Sequence, residues 1–267
     1  MNDKLKEYYI QNMDKEVDEK ELFMYSLKMN QPIIYEIKEN WFTKSKEPLV
    51  LGLYFLEKNK KYDFTQEEWW DIIQKTELKN IGNNILWFIS KTANISFTKD
   101  QWEYILENVN LNEKDSLNNN VLMTFINLNK ISIINDHWDI FFKKSNINTK
   151  PKNSYTILYH LCWYAEKIDK KIFEDIKMLN QPKMINDTVR SFYDNAYKYN
   201  RSNKALVMKN FSFFVKIFHD QIQEKSIHFL KQKKATEFLT MIENIQQYHS
   251  LEKELKNNII KKNQLKI

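Results

Sequence analysis

Residues 64–73 read FTQEEWWDII and residues 97–106 read FTKDQWEYIL, and the phrase returns with variations as INDHWDIFF at 134–142 and IDKKIFEDI at 168–176. Each opens on an apolar residue, continues with a Thr, Asn or Asp, and reaches a large aromatic four or five residues after its start: Trp69, Trp102, Trp138 and Phe173. Between these phrases Leu86, Leu122 and Leu158 stand 36 residues apart, with Leu51 at 35 residues before the first. Self-similarity at this period is the mark of stacked supersecondary units, each too small to bury its own apolar face. Such arrays usually act through extended surfaces.

Composition narrows the unit to helices. The 267 residues include two glycines and four prolines, too few for the turns of a β-rich fold, while 42 % hydrophobic and 14 % aromatic content supports a packed core. Thr65, Thr98 and Asn135 precede the aromatics within these phrases and are expected to cap their helices, with acidic residues following at the positive end of the helix dipole. Polar stretches KNIGNN (79–84), NEKDSLNNN (112–120) and NTKPKNS (148–154) separate the units. The expected organisation is all-α: an N-terminal capping unit over 1–47, four helical repeats over 48–187, and a basic helical domain over 188–267. In that last part the spacing predicts three longer helices near 189–200, 204–231 and 235–262. The final one places Phe238, Met241, Ile245, Tyr248, Leu251, Leu255 and Ile259 on one stripe. That stripe is expected to pack on its own domain, with a dimer or partner helix as the alternative.

The loop-and-helix text resembles a degenerate ankyrin repeat. Asn112, Asp115, Asn118 and Asn120 precede Leu122 at the offsets of the ankyrin loop; Asn148, Ser154 and Thr156 precede Leu158, and Gly82 and Asn84 precede Leu86 in the same way. The Pro and His of the ankyrin helix start are missing, Pro151 stands where an Asp is usual, and no Gly separates the paired helices. The resemblance implies a curved stack that binds proteins through its loops and the concave face of its first helices. It also implies binding positions five and six residues after each Leu, at Lys91 and Thr92, Asn127 and Leu128, and Trp163 and Tyr164.

The repeat then serves to separate core from surface. Trp69, Trp102, Trp138 and Phe173 share one slot and read as packing residues. Trp70 occupies a position that the other units give to Glu103, Asp139 and Glu174. Trp70, Lys91, Tyr155, Trp163 and Tyr164 are therefore the candidate partner-binding residues, adjacent aromatics being typical of interface hot spots. The alternative for Trp163 and Tyr164 is packing against the C-terminal helices.

Charge suggests a second reading. The net charge of +6 is concentrated in residues 189–267, with fifteen Lys/Arg against seven Asp/Glu, while residues 1–188 carry 26 against 28. Arg190, Arg201, Lys204, Lys209, Lys231, Lys233 and Lys234 are candidate phosphate contacts, and the aromatic-rich SFYDNAYKYNRSNK gives a nucleic-acid or nucleoprotein binder some support.

Enzymatic patterns are missing. His137, His160, His219, His228 and His249 carry no HExxH or comparable spacing, so no metal is expected. His219-Asp220 lacks a later aspartate of the kind a metal hydrolase uses, and neither Arg190 nor Arg201 has a histidine four to six residues downstream. Two glycines cannot build a phosphate-cradling loop, so no nucleotide cofactor is expected. Cys162 sits in an apolar helix as a small core residue; a single cysteine also excludes an internal disulfide and fits a reducing compartment. The N-terminal stretch lacks a signal-type apolar core and no run approaches a membrane span, which points to the cytoplasm of the producing or of a recipient cell. The expectation is a non-enzymatic interaction module, an adaptor or inhibitor. Divergent repeats in a chain rich in Lys, Asn and Ile resemble bacterial or mobile-element proteins directed at a host or competitor factor.

Overall fold

A computed structural model describes residues 23, 24, 27, 64–80, 86, 89, 90, 96–115, 117–151, 155–198 and 203–264. These residues are all-α, with no strand among them. The chain falls into two compact units, Met1–Glu113 and Lys114–Ile267.

In the first unit, α1 (Gln66–Gln74) and α2 (Lys99–Asn108) show what the repeated phrase does. The Glu68 N–H donates to Thr65 Oγ1 at 3.2 Å while the Thr65 N–H donates to Glu68 Oε2 at 2.8 Å. Thr98 and Gln101 repeat the exchange at 3.3 and 3.0 Å. Phe64 and Phe97, each just outside the helix, meet Trp69 and Trp102 edge-on at 5.0 and 5.3 Å. The phrase is thus a capping box joined to a hydrophobic staple, which satisfies free amides and fixes the angle of chain entry. Trp70 meets Phe97 at 6.3 Å and Tyr104 at 5.4 Å, so it ties α1 to α2. A Ser96 N–H to Gln66 Oε1 bond of 3.0 Å links the same two segments.

The second unit begins with α3 (Val121–Asn127), α4 (Ile131–Asp136) and α5 (Trp138–Lys144). The loop before α3 is built on Asp115, whose Oδ1 accepts the N–H groups of Leu117 and Asn119 at 2.9 and 2.8 Å. Asn118 takes φ 66°, a left-handed conformation that Asn tolerates better than most residues. Asn120 then caps α3 by accepting the Met123 N–H at 3.0 Å. Between α3 and α4, Asn129 at φ 56° fills the place a helix-ending Gly would take. Its N–H reaches Ile126 O and the Lys130 N–H reaches Phe125 O, the paired bonds of a Schellman ending.

The third phrase departs from expectation. Asn135 does not cap a helix: it lies inside α4, and α5 restarts after His137 with no side-chain cap. The phrase has one residue fewer before its Trp than the first two, which moves the staple out of register. Asn135 instead donates to Lys167 O at 2.9 Å and accepts the Asp169 N–H at 3.3 Å. Asp169 begins α7 (Lys170–Met178). Similar cross-links join Asn118 to Lys150 O at 2.9 Å, Trp138 Nε1 to Asp175 Oδ2 at 2.9 Å and Lys171 to Asp139 at 2.7 Å, partners 32 to 37 residues apart.

α6 (Ile157–Trp163) is largely buried and packs against α3, against α8 (Pro182–Tyr193) and against α9 (Lys204–Phe218). Thr156 caps it through the Tyr159 N–H at 3.2 Å. Leu86, Leu122, Leu158, Trp69, Trp102, Trp138 and Phe173 are all buried, none more than 7 % exposed.

Beyond residue 188 the expected helices are partly corrected. α8 starts at Pro182, a favoured first-turn residue, and passes into a π-type turn at Asp194–Lys198. The helix expected over 204–231 is two: α9 ends at Phe218, a tight 3-10 turn covers His219–Gln221, and α10 spans Glu224–Gln232. The break folds α10 back on α8, where Gln223 accepts the Asn186 amide at 3.0 Å and Gln221 donates to Lys177 O at 2.7 Å. Lys234, at φ 53°, turns the chain into α11 (Thr236–Gln264). The stripe on α11 packs at its start, where Phe238 is buried and Met241 and Ile245 are half-buried; Ile242 beside it is also buried, and the Ile259 side chain lies outside the described residues. It does not pack beyond: Tyr248, Leu251 and Leu255 are 66, 58 and 63 % exposed.

Thr188 donates to Met184 O at 2.8 Å and lies 2.7 Å from Thr156 Oγ1, so Thr156 supplies the proton between the two hydroxyls. Thr156→Val removes a cap and strands a buried partner, and should cost about 2 kcal/mol in urea denaturation. Thr188→Val should cost about 1 kcal/mol, and the double variant less than the sum. Strictly additive losses would show that the hydroxyls do not interact.

Candidate protein-interaction surface

The end of α6 faces α9. Trp163 closes the helix and Tyr164 follows as its C-cap, with its N–H on Leu161 O at 3.0 Å. Because the cap holds this backbone, Trp163, Tyr164 and residues through Lys167 form one wall of a cleft of about 330 Å³. The opposite wall is α9, which contributes Leu206, Lys209, Asn210 and Phe213. Trp163, Tyr164 and Phe213 are half-buried and Leu206 is exposed, so the cleft presents apolar side chains to water. Lys209 Nζ and Glu166 Oε1 pair at 2.7 Å along its edge, and this bond holds the Glu166 carboxyl below its ordinary value. Both partners are well exposed, so the pair adds little stability.

Two buried nitrogens of the cleft residues, Trp163 Nε1 and Asn210 Nδ2, have no hydrogen-bond partner of good geometry. Trp163 Nε1 is nonetheless near enough to the Tyr159 hydroxyl to favour its ionised form, as Asn195 also does. Burial outweighs both and pushes the Tyr159 phenol up to about 12, so it stays protonated and fixed by Asn195. Tyr155 does not line the cleft. It lies 4.4 Å from Tyr159, which in turn lies 6.0 Å from Trp163 and 4.7 Å from Phe192. Tyr155 and Trp163 therefore flank a buried tyrosine along one helix face, with Tyr164 beside Trp163.

The remaining candidates are dispersed. Trp70 belongs to the first unit and is engaged by Phe97 and Tyr104. Lys91 and Arg201 lie outside the described residues. Among the basic candidates, Lys204 pairs with Glu237 at 2.8 Å and lies 4.7 Å from the Tyr197 ring centre, and Lys209 pairs with Glu166. The Arg190 guanidinium lies 5.2 Å from the Phe229 ring centre. Lys231, Lys233 and Lys234 are exposed together at the end of α10. Leu206, Asn210 and Phe213 escaped the sequence reading because ALVMKNFSFFVKIF reads as apolar on nearly every face. Asn210 is the one polar residue of these three.

No group of three or more His, Cys, Asp or Glu side chains comes together among the described residues, and no described helix is long and apolar enough to cross a membrane. No protein-family model, curated protein or solved structure matches the chain.

Cys162 is fully buried and burial pushes its thiol up, so it is not a thiolate. A thiol reagent should leave the native protein unlabelled and react in denaturant; rapid labelling of native protein would contradict this placement. Burial also holds His160 down, to about 4. The unfolded chain binds a proton near pH 6.5 that the folded chain refuses, so stability is full above about pH 6.5 and is lost as pH falls toward about 4. The loss should reach on the order of 3 kcal/mol as an upper figure in urea titrations, and His160→Gln should flatten it.

Proposed function

We propose that the chain is a non-enzymatic protein-interaction module, an ankyrin-like helical-repeat stack closed by a C-terminal helical domain, acting as an adaptor or inhibitor. The repeat reading is supported by the 36-residue recurrence, by buried residues in the recurring slots, and by polar cross-links between partners 32 to 37 residues apart. Asn129 serves as the turn residue between paired helices where an ankyrin unit uses Gly.

The observation that carries the interaction reading is the cleft of Trp163, Tyr164, Leu206 and Phe213, apolar and open to water. Half-buried aromatics held by a capped backbone present rigid contact area at little entropic cost, the condition hot spots satisfy. A large side chain of a protein partner fills this space better than a polar metabolite does, since apolar atoms dominate the walls. Affinity capture from the producing or recipient cell, quantified by mass spectrometry, tests the proposal. Trp163→Ala/Tyr164→Ala should lose a protein that the parent retains, with the circular dichroism melt shifted by a few degrees at most. Identical capture by the two would reject the cleft.

The exposed lysines at the end of α10 support a second reading, a nucleic-acid or nucleoprotein binder. Fluorescence anisotropy with a labelled duplex separates the two. Phosphate binding weakens linearly in log salt with a slope of about −0.9 per contact. An aromatic interface responds weakly.

A further inference from the structure

The 3-10 turn after α9 and the middle of α11 are joined by two histidines. The rings of His219 and His249 lie face to face, centroids 3.9 Å apart and planes within 2° of parallel. Gln246, one turn before His249, donates to His219 O at 3.2 Å. Beyond this point α11 is unpacked, with Leu251, Leu255 and Ile260 exposed. The stack is thus the place where the last helix is fastened before it emerges into water.

Such a stack is stable while at least one ring is neutral. Parallel imidazolium rings at this separation place like charges against each other. Parallel planes also point the ring nitrogens alongside one another and not toward a common centre, which disfavours a shared metal ion. We propose that His219 and His249 form an acid-sensitive latch on α11: closed when one ring is neutral, and loosened when both carry protons.

The surroundings set where the protons go. On α11, His249 Nδ1 lies 3.5 Å from Glu252 Oε2, an ion pair when that ring is protonated, and Glu252 also holds Lys256 at 2.8 Å. Tyr248 meets His249 edge-on at 5.7 Å. From α9, the Lys216 carbonyl lies 3.3 Å from His219 Nδ1. From the turn and α7 come Asp220 and Lys177, which pair at 3.0 Å and largely cancel. Burial first, and then the charge of His249, hold His219 below its ordinary value, with the Lys216 carbonyl and Asp220 opposing. A second proton on the stacked pair is resisted by the first, and burial adds to that resistance at His219. The latch opens at the second step, below the ordinary histidine range.

Hydrogen exchange of the full chain at about pH 7.5 and about pH 5, corrected for intrinsic rates, tests this. Amides of 236–250 should lose protection by about tenfold or more in the acid sample. His219→Phe/His249→Phe keeps an aromatic stack that cannot take protons and should abolish that loss. α6, which carries His160, should respond alike in both proteins. Unchanged protection in the parent, or an equal loss in the double variant, overturns the latch. Should the double variant fail to fold, the histidine ring signals of the parent decide by NMR. Coupled titration of the two rings, with His219 below its ordinary value, supports the latch, and two independent titrations overturn it.

Discussion

A buried hydroxyl pair ties the C-terminal unit together. Thr156 and Thr188 meet at 2.7 Å in the core, and each is also engaged to its own backbone, Thr156 as the cap of α6 and Thr188 through Met184 O. Hydroxyls in such a place are costly unless satisfied, so α6 and α8 accept one relative position and few others. With the start of α6 fixed, its apolar residues meet α3, α8 and α9, and its end places Trp163 and Tyr164 against Leu206 and Phe213. The cleft is a downstream effect of a pair of methyl-bearing hydroxyls.

Polar links of this kind recur and do a different task from the core. The core is rich in Phe, Ile and Leu, residues that pack well in many registers. Asn118, Asn135, Trp138 and Thr156 each reach a partner roughly one repeat away, and a hydrogen bond of defined geometry rejects slipped registers that apolar contact would tolerate. In a chain with so few glycines, Asn also takes over the left-handed turns at residues 118, 129 and 180. The abundance of Asn thus has a structural meaning that composition alone hides.

The legible part of the fold was the part written in local chemistry. The FT phrases declare a cap and a staple within six residues, and both formed; Leu122 and Leu158 entered the core two residues after capping Asn120 and Thr156. Asn135 looked like a third cap, but a missing residue in its phrase moved it into a helix, where long-range bonds claimed its amide. The break at His219–Gln221 carried no Gly or Pro because its cause is tertiary: Gln221 and Gln223 are held by Lys177 O and Asn186. The outer half of α11 has a stripe indistinguishable from a buried one, and periodicity reports that a face is apolar without reporting what covers it. The cleft was half visible. Trp163 and Tyr164 stood out against the repeat, while α9 concealed its contribution in a uniformly apolar run.

From Tyr248 to Gln264 the last helix extends roughly 25 Å at the usual rise per residue. Its apolar side chains lie on a rigid rod rooted in the same unit as the aromatic cleft. A partner that touched both would be held at two points whose separation the protein dictates. Tethering of that sort multiplies weak contacts through local concentration and demands a matching spacing on the other side. Under the proposed interaction reading, the exposed half of α11 would therefore set a second contact at a fixed distance from the first, so that spacing as well as chemistry would enter recognition.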